Sequence, residues 1–157
     1  MEGSQAKFGY NPCDIRICTR LLSIDSLLSK LKESSLVYHY DKPDFTTSWS
    51  DMVKSRLIES VLIRLPIHPF LIDATNNKQW VMAEGSSQLS TLDEFINKES
   101  FFLTGLEYLS VEGLSFSKLE PKYQRRLRET GITVHLIDPG TPPAVKFNII
   151  ERTKLHG

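Results

Sequence analysis

The stretch Trp80-Val-Met-Ala-Glu-Gly-Ser-Ser-Gln-Leu-Ser-Thr-Leu92 carries the residues best suited to chemistry. Glu84 offers a carboxylate for acid–base work or for holding a metal ion. Gly85, Ser86, Ser87 and Gln88 offer small hydrogen-bonding groups directly after it. The apolar run Trp80–Ala83 predicts a short strand that breaks at Glu84-Gly85. Leu89, Leu92, Phe95 and Ile96 then recur at helical spacing, so a helix is expected over about 87–97, capped by Ser86 or Ser87. A strand that turns through glycine into a helix start aims amide N–H groups outward at the positive end of a dipole, which suits an anion such as phosphate. A plain strand–turn–helix connection would read the same way, because a single glycine is a weak phosphate signal.

The neighbouring elements must position that turn. Ile15–Leu22 alternates as a strand, and Ser23 precedes Ile24, Leu27, Leu28 and Leu31 on one helical face. Leu36–Tyr40 reads as an aromatic-rich strand. Ser50 can cap a helix bearing Val53, Leu57, Ile58, Val61, Leu62 and Leu65 on one face, stopped by Pro66. Ile67–Asp73 and Gln79–Ala83 form a hairpin closed at Asn76-Asn77. Phe101–Leu103 and Tyr108–Leu109 are expected as further short strands. A helix over Pro121–Thr130, ended by Gly131, leads to a strand over Ile132–Ile137. After the turn-rich Pro139–Pro143, a last helix carries Val145, Ile149 and Ile150.

A resemblance rests on three of these segments. Lys54-Ser-Arg-Leu-Ile-Glu-Ser-Val-Leu-Ile-Arg-Leu-Pro-Ile-His-Pro-Phe70 is similar to a helix followed by Pro-Ile-Pro-Pro. That pattern belongs to the domain of unknown function 262 family of bacterial proteins. The family has a ParB/sulfiredoxin-like fold and includes the nucleotide-hydrolysing half of GmrSD-type modification-dependent restriction enzymes. Its next strand ends in Asp-Gly-Gln-Gln-Arg-Leu-Thr-Thr-Leu, where this chain has Glu84, Gly85, Ser86, Ser87, Gln88, Leu89, Ser90, Thr91 and Leu92. Phe147-Asn-Ile-Ile-Glu-Arg-Thr-Lys-Leu-His-Gly157 resembles the family's Phe-Asp-Ile-Phe-Glu-Arg-Ile-Asn-Thr-Gly-Gly, which makes Arg152 an anion-binding candidate.

The chemical positions of that pattern are degenerate. Gln88 stands where the family has its phosphate-holding arginine. If Phe45 and Trp49 are the family's aromatic landmarks, Thr46 and Thr47 replace its Gln-Arg. A guanidinium grips phosphate bidentately, whereas a hydroxyl gives one weak bond. Each lost charge-assisted bond costs about 1.5–3 kcal/mol. The resemblance implies an α+β domain with a small mixed sheet and packed helices over residues 21–157, truncated relative to full-length members. Residues 1–20 are expected to be a polar N-terminal arm with a possible first strand.

Composition is that of an ordinary soluble domain: 157 residues, 40% hydrophobic and 24% charged. Nineteen basic and nineteen acidic residues cancel, so no global charge points to nucleic acid, membrane or an acidic substrate. Lys122, Arg125 and Arg126 share one face of a helix and are candidates for contact with a DNA backbone. A solvated helix face, diluted by Glu120 and Glu129, is the alternative. Cys13 and Cys18 have no zinc-type spacing and read as two buried thiols. The four histidines show no metal-ligand spacing, so no metal site is expected from them. No signal peptide and no span-length apolar run is visible, which points to the cytoplasm.

Three functions remain open at this level. The first is a divergent, catalytically weakened relative acting as a nucleotide-binding or regulatory module in DNA-related defence. The second is a working hydrolase of a nucleoside triphosphate with magnesium, in which Glu84 is the catalytic base or metal ligand and Arg152 or Arg56 supplies charge. The third is a protein-interaction domain with no ligand. The resemblance adds a C-terminal nuclease domain, or a separate nuclease protein, as the expected partner.

Overall fold

The computed structural model describes residues 12–40 and 45–156, so most of the N-terminal arm and the Asp41–Asp44 loop lie outside the described residues. Five strands form one mixed sheet: β1 (Ile17–Ser23), β2 (Leu36–Val37), β3 (Phe70–Asp73), β4 (Trp80–Glu84) and β5 (Gly131–Ile137). Their order is β1-β5-β3-β4-β2, with β1/β5 and β3/β4 antiparallel and β5/β3 and β4/β2 parallel. The helices are α1 (Ile24–Lys32), α2 (Asp51–Leu62), α3 (Ser86–Ile96), α4 (Pro121–Glu129) and α5 (Pro143–His156). The mixture of short helices and strands is as the periodicity predicts, and the α+β class with one small mixed sheet agrees with what the resemblance implies. Among the described residues no helix is long and apolar enough to cross a membrane.

The alternation of the central strands fixes which face carries the core. Phe70, Ile72, Val134 and Leu136 are fully or almost fully buried against Leu27, Ile58, Leu62, Leu92 and Leu127 from α1 to α4. Ser50 caps α2 as expected, its Oγ accepting from Val53 N at 3.3 Å, and Ser23 caps α1 in the same way, its Oγ accepting from Ser26 N at 3.0 Å. The α2 face is narrower than the pattern suggests, since Val53 and Leu65 are exposed while Ile58, Val61 and Leu62 are buried. Leu65 already lies past the helix end. The thiols also depart from expectation: Cys13 is exposed in a 3₁₀ turn and Cys18 is half-buried on β1.

Two expected strands are absent. Phe101–Leu103 and Tyr108–Leu109 belong to an irregular connection between α3 and α4, and the aromatic run after Leu36 keeps strand pairing only to Val37. Apart from short backbone bonds between Leu103 and Gly113–Leu114, several of the connection's amides bond to side chains. Glu59 accepts from the amides of Glu107, Tyr108 and Leu109 at 2.9, 2.8 and 2.8 Å. Ser55 Oγ accepts from Thr104 N at 3.0 Å, and Glu99 from Ser117 N at 2.7 Å. Phe101 and Leu103 are buried as plugs of the core, whereas Tyr108 points outward.

The last helix is held by a buried charge. Asp73, at the end of β3, accepts from Thr75 N at 3.0 Å and Thr75 Oγ1 at 2.7 Å, bonds the Tyr40 hydroxyl, and meets Lys146 Nζ at 3.1 Å. Burial opposes its ionisation, but the bonds from Thr75, Tyr40 and Lys146 outweigh that and hold its carboxyl below the usual range. Val145 is buried beside this anchor, so α5 is fastened near its start.

Candidate functional site

Glu84 ends β4, and Gly85 makes the turn into α3. Gly85, not a serine, is the N-cap: its φ is +108° and no side chain caps the helix. That conformation suits glycine. Space demands it as well, because a Cβ at Gly85 would lie 2.3 Å from Phe70 Cδ1. Ser86 is therefore the first helical residue, and Ser87 Oγ instead accepts a hydrogen bond from Thr47 Oγ1 at 3.0 Å. Thr47, buried, also accepts from Trp49 N at 3.2 Å, so the 45–50 segment is packed on the first turn of α3.

Sheet register brings distant residues together. Glu84 pairs with Leu71, Leu71 with His135, and His135 with Thr19, giving one row across four strands. With strands about 4.8 Å apart, the Glu84 and His135 backbones stand about 10 Å from each other on the same face. Over that face lies α5, with Ile149, Arg152 and Thr153 at i, i+3 and i+4.

The result is a cavity of about 780 Å³, lined in part by Glu84, Gly85, Gln88, Arg152, His68 and His135. One Glu84 oxygen, Oε1, is buried without a hydrogen-bond partner among the described residues. Unmade bonds of this kind are costly and rare, and a ligand group is one thing that satisfies them. Arg152 is exposed at the cavity and makes no ion pair with a described residue. His135 Nδ1 and Thr19 Oγ1 are 2.8 Å apart, which orients the imidazole.

Of the residues the sequence nominates, Glu84, Gly85, Gln88 and Arg152 meet here, the last from more than sixty positions away. Ser86 and Ser87 do not line the cavity. Arg56 is also elsewhere: from α2 its Nε donates to Gly105 O at 3.2 Å and its Nη1 pairs with Glu107 at 3.3 Å, bracing the irregular connection. His68 and His135 were not singled out by sequence, since neither has a partner at ligand spacing. Their only signal is strand alternation, which sets His135 on the face opposite the core.

The basic face of α4 is divided. Arg126 Nη1 donates to Leu62 O at 2.7 Å, closing the end of α2, whereas Lys122 and Arg125 are exposed. Comparison of the chain with protein-family models, with curated proteins and with solved structures finds no match.

Proposed function

We propose that this chain is a nucleotide-binding module whose cavity takes the phosphate end of a nucleoside triphosphate, and that it turns the nucleotide over weakly. The observation that carries the reading is the meeting of Arg152 with Glu84, Gly85 and Gln88 around one concavity. Its volume of about 780 Å³ lies in the range of small-molecule sites. Arg152 supplies a guanidinium for phosphate, with Gly85 and Gln88 of the α3 turn beside it on the lining. Glu84 is the carboxylate of the lining, and a magnesium ion typically takes one or two carboxylates together with the phosphates of its substrate.

Weak turnover follows from charge. Phosphoryl transfer depends on several cations placed around the transferred group. Here Gln88 is neutral, and Thr47 is buried with its hydroxyl committed to Ser87. On this reading the chain is a divergent ParB/sulfiredoxin-like relative of the restriction NTPases. It works in the cytoplasm in DNA-related defence, beside a DNA-cleaving partner. The Lys54–Phe70 and Glu84–Leu92 patterns support that assignment. The presence of Arg152 at the cavity also favours a second reading, a working hydrolase with Glu84 as base and Arg152 as the cation.

A thermal-shift series with each nucleoside triphosphate and magnesium, followed by phosphate release, distinguishes them. A nucleotide at 100 times its dissociation constant should add about 2.7 kcal/mol of stability, or roughly 5–10 °C. The shift should vanish in Arg152→Ala. Turnover that disappears in Glu84→Ala would favour the hydrolase. No shift at millimolar nucleotide would leave an interaction domain without a small ligand.

A further inference from the structure

A second groove, sharing no residue with the first, runs between the end of α2, α4 and the start of β5 and encloses about 660 Å³. Its floor is apolar: buried Val61 and Ile132, half-buried Ile67, and Leu65, which is left 48% exposed. Arg64, Lys122 and Arg125 stand along it, and Glu129 is the acid of the lining. Neither Arg64 nor Arg125 has an ion-pair partner among the described residues, while Lys122 makes a surface contact with Glu120 at 3.7 Å.

Arg64 occupies an unusual backbone position. At the end of α2 its N–H bonds to Val61 O at 3.1 Å, and Leu65 N bonds to Ser60 O at 2.8 Å. This is the Schellman arrangement, whose left-handed residue is most often glycine. Here that residue is Arg64, with φ +65°. The chain thus carries a conformational cost at a position where glycine would avoid it, and gains a guanidinium on the groove.

We infer that this groove binds an extended acidic peptide with apolar side chains, contributed by another protein. Charge complementarity matches the peptide's carboxylates to Arg64, Lys122 and Arg125, and the floor around Leu65 takes its apolar residues. A phosphate backbone would use the cations but gain nothing from the apolar floor. The inference stands independently of nucleotide binding.

The test is fluorescence anisotropy of the whole chain with a labelled twelve-residue peptide of Asp, Glu, Leu and Phe, at about 0.15 M salt where distant charges are screened. The same peptide with Ser replacing Leu and Phe, and a short duplex DNA, serve as comparisons. The apolar-acidic peptide should bind tightest. Arg125→Ala and Arg64→Gly should each weaken it about tenfold, in line with loss of one charge-assisted bond. Arg64→Gly should melt at or above the wild-type temperature, because glycine relieves the left-handed position, so its loss of binding is not misfolding. Duplex DNA binding as tightly as the peptide would overturn the inference. So would equal binding of the serine peptide, indifference to both substitutions, or no binding at all.

Discussion

Glu59→Ala should destabilise the protein by about 4 kcal/mol, lowering the melting temperature by roughly 8–16 °C. Glu59 is 3% exposed, and its carboxylate is the acceptor for three consecutive amides nearly fifty residues away. Removing it takes the charged acceptor from three amides at once, and each charge-assisted bond contributes about 1.5–3 kcal/mol before water replaces part of it. Glu59→Gln keeps one carbonyl acceptor and should lose less. Urea denaturation of the three proteins checks the order; an unchanged midpoint for Glu59→Ala would mean that the carboxylate does not hold the connection.

The same group predicts an acid response. Burial disfavours the Glu59 carboxylate, but the amides of Glu107, Tyr108 and Leu109, with Arg56, outweigh burial and hold its pKa below the usual 4.5. A carboxyl whose folded pKa is depressed stabilises fully above its unfolded value. That contribution is lost as pH falls through the folded one. Asp73 acts in the same direction. Stability should therefore fall steeply below about pH 4. The fall should be shallower in Glu59→Ala.

Gly85→Ala is the second large effect, expected at about 3 kcal/mol. Two causes combine: a non-glycine residue at φ +108° is strained, and its Cβ would press into Phe70, which is fully buried and cannot retreat without disturbing the core. Gly113→Ala separates them. Gly113 also has positive φ, at +79°, but a Cβ there would meet nothing within 4 Å. That variant should lose only about 1 kcal/mol. Equal losses at the two positions, read by thermal melts, would remove the packing argument.

Features set by local pattern were legible in the sequence. Ser23 and Ser50 cap their helices because a hydroxyl three residues before an amide is a short-range signal. The β3–β4 hairpin, closed by Asn76 accepting from Lys78 N at 2.9 Å, is equally local. What resisted reading was side-chain bonding over long range. Glu59 looks like any surface glutamate on an amphipathic helix, and nothing near it announces that it will bind residues 107–109. The apolar run at Phe101–Leu103 resembles a strand because two buried plugs have the same composition as a short buried strand. Arg56 and Arg152 were equal candidates by charge. Only the tertiary placement of α2 and α5 sends one to Glu107 and the other to the cavity.

Calorimetric titration of a nucleoside triphosphate with magnesium into wild type and Gln88→Arg tests the central claim most directly. Gln88 lines the cavity, and an arginine there adds a second guanidinium beside Arg152. If the cavity is a phosphate site weakened by the neutral Gln88, Gln88→Arg should bind about 10- to 100-fold more tightly, the equivalent of one charge-assisted bond. An unchanged affinity, or no binding by either protein, would contradict nucleotide recognition at this site.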